Sequence, residues 1–253
     1  MFKRLAIFTI LCAVLFPVSA FAQFNGQIDV ALRDMENKEE KAIVSLILTP
    51  ERIMAAVHDA DNDGLDIKPM GLEGATNVLI RLKEEDFVVM IDESDMAFSL
   101  PKKQIEGFVN MAAMMAQQQG NQQKYPTVNY SYTGKKENIL GFSAVEIKLE
   151  SEEEPGTYAT VWVTDEVPVY WGMLAGKWNF MGAFAQINSM DWLKNGQLPL
   201  LVNIYENNEL KSQLEIINVD ERTVDPSEVN VPEGVSIMSM QDMNLNNFRN
   251  GRN

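Results

Sequence analysis

The chain has 253 residues and a formal charge of −15, from 36 acidic against 21 basic side chains. So acidic a surface repels nucleic acid and anionic lipid surfaces, and neither is an expected partner. Hydrophobic residues make up 46% of the chain, enough for a sizeable core, while a single Cys and a single His leave little room for thiol or imidazole chemistry.

Residues 1–22 read as a secretory signal peptide: Lys3 and Arg4 form the positive start, Leu5 to Val18 the apolar stretch, and Ala20-Phe21-Ala22 a small-x-small cleavage site before Gln23. The stretch is shorter than the roughly 20 apolar residues of a membrane span, so the mature chain is expected to be exported, not membrane-spanning, and periplasmic or alternatively secreted. Without Lys3 and Arg4, 19 basic side chains face 36 acidic ones, a mature charge of −17. Cys12 lies inside the signal and lacks the lipoprotein context, so neither a lipid anchor nor a disulfide is expected.

Strand patterns follow. Ile28, Val30 and Leu32 alternate with polar residues, Ile43 to Leu48 is rich in branched side chains, and Ile53 to Val57 continues the pattern. Asp59, Asp61, Asp63 and Gly64 resemble the opening of a calcium loop, with Asp66 as a fourth carboxylate. The twelfth position is Met70 in place of the bidentate glutamate, and Pro69 opposes a following helix, so an Asp/Asn/Gly turn is the main reading and weak calcium binding the minor one. Val78 to Leu82, Phe87 to Ile91 and Met96 to Leu100 then form an antiparallel meander.

Pro101 opens the first expected helix, with Ile105, Phe108, Val109, Ala112 and Met115 at helical spacing and Met111 and Met114 widening the stripe. Gln117 to Gln123 reads as a polar loop. Strands resume at Thr127 to Tyr132, Ser143 to Leu149 and Tyr158 to Thr164, the last two joined by an acidic turn. A second helix is expected from Gly176 to Leu193, carrying Trp178, Phe180, Met181, Phe184, Ile187 and Trp192. A hairpin, Leu200 to Tyr205 and Leu210 to Val219, turns at Glu206-Asn207-Asn208-Glu209, and a short segment spans Val229 to Val235. One domain is expected over residues 23–243, with a polar, disordered tail at 244–253.

Five landmarks occur in order: Phe24-Asn25-Gly26-Gln27-Ile28; Thr133-Gly134-Lys135-Lys136 leading to Ile139-Leu140-Gly141-Phe142; Val161-Trp162-Val163; Gly196-Gln197-Leu198-Pro199-Leu200; and Val231-Pro232-Glu233-Gly234-Val235. With them the chain resembles periplasmic families of unknown function that share the outer-membrane lipoprotein carrier (LolA/LolB-like) fold. The resemblance implies an incomplete, strongly curved antiparallel barrel with helices across its open mouth and an apolar concavity. It implies no catalytic residue and no particular cargo. The expected fold class is therefore α+β: a curved, incomplete antiparallel β-barrel covered by two main helices.

The expected function is binding, without catalysis or cofactor. His58 stands alone between Val57 and Asp59, and no spacing among the acids singles out a catalytic pair. Met238, Met240 and Met243 could hold Cu(I) through thioethers, although methionine is commoner as packing. The stronger lead is the apolar surplus on the two helices: Phe108, Met111, Met114 and Met115 on the first, and Trp178, Phe180, Met181 and Phe184 on the second. These residues are expected to bind a lipid, an acyl chain or the lipidated end of another protein. The alternative from another class is a structural or interaction protein of the cell envelope with a closed core and a protein partner.

Overall fold

The structure, a computed structural model, describes residues 23–37, 39–58, 65–67, 72–91, 95–107, 128–151, 155–176 and 191–239. The expected signal peptide, most of the Asp-rich turn, the Gln-rich loop and the polar tail lie outside these residues.

Two antiparallel meanders are joined at their first and last strands. The first comprises β1 (Gly26–Asp34), β2 (Glu39–Leu48), β3 (Arg52–His58), the short β4 (Leu65–Ile67), β5 (Leu72–Arg81), β6 (Asp86–Ile91) and β7 (Met96–Pro101). The second comprises β8 (Val128–Ile139), β9 (Phe142–Ser151), β10 (Tyr158–Thr164), β11 (Leu198–Glu206) and β12 (Glu209–Glu221). Pairing of β1 with β12, from Gly26↔Glu221 to Asp34↔Ser212, welds the two halves into one sheet. A final strand, β13 (Ser236–Ser239), runs parallel to β7, giving the order β13-β7-β6-β5-β3-β2-β1-β12-β11-β10-β9-β8, with β4 beside β5.

The sequence accounts for the local turns. Asn207 and Asn208 both adopt positive φ, 52° and 63°, as a two-residue hairpin connection demands, and Asn tolerates that region better than most residues. Register shifts at Asp29/Val30, Trp162/Val163 and Ile204/Tyr205 insert bulges, which bend strands and increase their twist.

The covering by two main helices is overturned. Among the described residues strands make up 61%, in a sheet that does not close, and no helix reaches seven residues. Helical backbone does begin after Pro101, at residues 102–107. In the second region Gly176 is extended, and the helix described there covers only Asp191–Lys194. Val167, Val169 and Met173 are instead buried from an irregular stretch ending in the 3-10 turn Gly172–Ala175. An apolar, aromatic stretch signals burial; it does not by itself specify helical backbone.

Residues 224–235 form a latch on the opposite side. Val224, Val229, Val231 and Val235 pack on Met54, Leu79, Val88, Met90 and Ala97. Asp225 caps the 3-10 turn Pro226–Val229 by accepting the Ser227 N–H (2.8 Å), while Glu228 accepts the Asp225 N–H (2.9 Å) and two bonds from the Arg222 guanidinium (2.9 and 2.7 Å). The guanidinium holds the Glu228 carboxyl down at about 2, from an ordinary 4.5. A depressed carboxyl stabilises the fold above its unfolded value and loses that contribution as pH falls toward the folded one. The urea midpoint of Glu228→Gln is therefore expected to lie below the wild type above pH 4.5 and to converge with it by about pH 2. A pH-independent gap between the two would refute the latch's dependence on this carboxylate.

Candidate functional site

Register separates the chemistry of the two sheet faces. One row of paired residues, Ala42, Leu32, Leu214, Val202, Val161, Ile147 and Tyr132, crosses seven strands from β2 to β8 and is apolar throughout. A second row on the same face, Phe98, Val89, Val78, Ala55, Leu46 and Ile28, continues it from β7 to β1. One position along the strands, Arg33, Gln213, Asn203, Thr160, Lys148 and Ser131 form a polar row on the other face. Arg33 donates to Gln213 (3.2 Å), and Gln213 donates to Asn203 (2.9 Å). A period of two along the strands makes this separation unavoidable once the register is set.

The apolar face is packed in sections. Ile105 joins Val89, Phe98 and Leu100 near one end. Trp192 covers Ile147, Leu149, Ala159, Val161 and Val163 near the other. Between them, residues 167–175 lie over Ile28, Leu48, Ile53, Leu198 and Leu200. Burial of each such aliphatic side chain contributes about 1.5–3 kcal/mol.

A cleft of about 410 Å³ opens where the central section meets the Trp192 section; Trp171 belongs to the first cluster and Leu193 to the second. Its apolar lining comes chiefly from Pro168, Val169, Trp171, Ala175 and Leu193. Its rim carries the side chains of Gln23, Tyr170, Lys194 and Asn195. Among the described residues Lys194 is the only charged side chain in the lining.

Backbone bonds fix the walls. The Val169 N–H donates to the Gly196 carbonyl (2.8 Å), the Trp171 indole N–H to the Gln197 carbonyl (2.9 Å), and the Phe24 N–H to the Pro168 carbonyl (2.7 Å). Gly196 ends the Asp191–Lys194 helix at φ 78°, a conformation open to glycine, and an added Cβ would stand 3.1 Å from the Val169 carbonyl oxygen. Asp191 accepts from the Tyr130 hydroxyl (3.0 Å) and from Lys194 (3.3 Å), the latter a half-exposed pair.

Most of the residues that sequence reasoning selected lie outside the described part of the chain. Phe108, Met111, Met114, Met115, Trp178, Phe180, Met181 and Phe184 lie outside the described residues, as do Asp59, Asp61, Asp63, Met240 and Met243. Asp66 falls in β4, which pairs with β5. His58 ends β3 and is exposed. Met238, in β13, packs against the Val89, Phe98, Leu100 and Ile105 cluster, the packing role foreseen for methionine. The cleft residues Pro168, Val169 and Trp171 were missed, although Val-Pro-Val-Tyr-Trp at 167–171 is an apolar run that the preceding strand does not need.

No family model matches the chain, and no curated protein matches it in sequence, so the lipoprotein-carrier resemblance gains no sequence-level support. Solved structures do superpose coarsely. An uncharacterized conserved protein from Thermus thermophilus is 8% identical with a TM-score of 0.45, over 85% of this chain and 91% of that one. MucB in the Pseudomonas aeruginosa MucA/MucB complex is 9% identical with a TM-score of 0.45; 87% of this chain matches, spanning 60% of that chain. A DUF1329 family protein from Desulfovibrio piger is 10% identical with a TM-score of 0.27, over 83% and 90%. None of these TM-scores reaches 0.5, so the similarity assigns neither a ligand, a reaction nor a partner.

Proposed function

We propose that this chain is an exported, non-catalytic binding protein for an apolar ligand, a lipid or acyl chain, which it takes into the cleft on the apolar face of its sheet. The observation that carries the reading is the cleft itself. Its volume of about 410 Å³ falls within the range of about 300–1,000 Å³ typical of small-molecule sites, and its mixture of apolar walls with a few rim polar groups is the usual composition of such sites. The walls are tied to each other and to the sheet by backbone hydrogen bonds, so a ligand meets a surface that is already organised. Both stretches selected from sequence join the described chain on this same face: Phe108 follows Ile105, and Phe184 precedes Trp192. In this reading Phe108, Met111, Met114, Met115, Trp178, Phe180, Met181 and Phe184 add contacts for the same ligand. Export on residues 1–22 places the protein in the periplasm, and the bound group is a free lipid or the acylated end of another protein.

The test is direct. Mass spectrometry of the natively purified mature chain is expected to detect extractable lipid, and a fluorescent fatty-acid probe is expected to bind. Leu193→Asp places a charge in the cleft wall and is expected to weaken the probe about tenfold or more, with an unchanged far-UV spectrum. A folded wild type that carries no lipid and binds no probe would overturn the reading and favour the envelope interaction protein.

A further inference from the structure

We infer that the cleft selects an acyl chain with an anionic head, a fatty acid whose carboxylate is received by Lys194 at the rim. This rests on the apolar-ligand reading above and specifies the chemistry of the ligand's polar end. Complementarity of charge carries it. In a mature chain of charge −17, an acidic amphiphile is repelled over most of the surface, yet among the described residues the one charged side chain lining this cleft is a cation.

Lys194 is free to change partners at little cost. Its link to Asp191 spans 3.3 Å between side chains 51% and 50% exposed, a class of pair worth about 0–1 kcal/mol. When the ammonium turns to a ligand, Asp191 keeps the hydrogen bond from the Tyr130 hydroxyl. The rim amides of Gln23 and Asn195 supply N–H donors of the kind a carboxylate accepts. Below the rim, Pro168, Val169, Trp171, Ala175 and Leu193 offer apolar contact for the hydrocarbon. The volume, at the low end of the small-molecule range, suits one chain and not the two of a phospholipid.

The experiment is competition against the fluorescent fatty-acid probe on the mature chain beginning at Gln23, with this N-terminal glutamine cyclised to uncharged pyroglutamate so that Lys194 stays the cation tested, and with palmitate, hexadecanol and phosphatidylglycerol as competitors. Wild type is expected to prefer palmitate over the uncharged alcohol by about fivefold, the worth of a half-exposed ion pair. Lys194→Gln is expected to bind both equally, and Lys194→Arg to keep the preference. Equal binding of acid and alcohol by the wild type would overturn the head-group assignment and leave the apolar-ligand reading standing. Preference that survives in Lys194→Gln would remove Lys194 from the role. Stronger competition by phosphatidylglycerol than by palmitate would replace the fatty acid with a phospholipid. Failure of the probe and all three competitors would overturn the apolar-ligand reading itself.

Discussion

Gly26→Ala is expected to destabilise the protein by about 3 kcal/mol, the upper part of the range for forcing volume into a packed site. A Cβ at this position would lie 2.1 Å from the Asp220 carbonyl oxygen and 2.9 Å from the Phe24 ring. The first contact is with backbone, so no side chain can rotate away. Strand movement is also blocked, because Gly26 pairs with Glu221 on one side and Leu48 on the other. The site lies at the end of the β1–β12 weld, the pairing that makes one sheet from two meanders. Gly107→Ala is the matched control: among the described residues a Cβ there would meet nothing within 4 Å, the backbone is helical, and alanine is expected to be neutral or to stabilise by up to about 1 kcal/mol. Urea unfolding of the two variants checks the pair, and a Gly26→Ala midpoint equal to that of Gly107→Ala would contradict the close approach.

Trp192→Ala is expected to cost about 3–5 kcal/mol, the usual result of emptying a buried aromatic site. At roughly 2–4 °C per kcal/mol for a chain of this size, the melting temperature is expected to fall by roughly 6–20 °C. Trp192 is 6% exposed and seals the apolar face over β9, β10 and β11, next to the Leu193 wall of the cleft. Its indole Nε1 is buried without a hydrogen-bond partner among the described residues. An unpaired buried donor itself costs about 1–3 kcal/mol, so Trp192→Phe, which keeps an aromatic ring and removes the donor, is expected to lie within about 1 kcal/mol of wild type. Equal losses for the alanine and phenylalanine variants in calorimetry would show that the indole N–H, and not the ring's volume, holds the site together.

Most strands were legible in the sequence because a half-buried strand writes its environment at every second residue. Ile28, Val30 and Leu32 alternate as expected, and they fall on the apolar face. Asn207-Asn208 marked its turn for the same local reason, the ability of Asn to adopt positive φ. The cleft was not legible. Trp171 and Leu193 are separated by more than twenty residues, and they meet only because Val169 and Trp171 bond to the 196–197 carbonyls. The expected helices failed as a cover because aromatic and methionine content reports a need for burial, which an irregular segment such as 167–175 meets equally well.

Composition, alternation and turn chemistry by themselves determined an acidic, strand-rich chain in which alternating strands, such as Ile28 to Leu32, carry one apolar and one polar side. These are properties of neighbours along the chain. Tertiary structure alone decided that β1 pairs with β12, that the bulges bend the sheet without closing it, and that Pro168, Trp171 and Leu193 enclose a cleft with one lysine at its rim. Those outcomes depend on contacts between distant segments, whose energies come from surfaces that face each other only after the chain has folded.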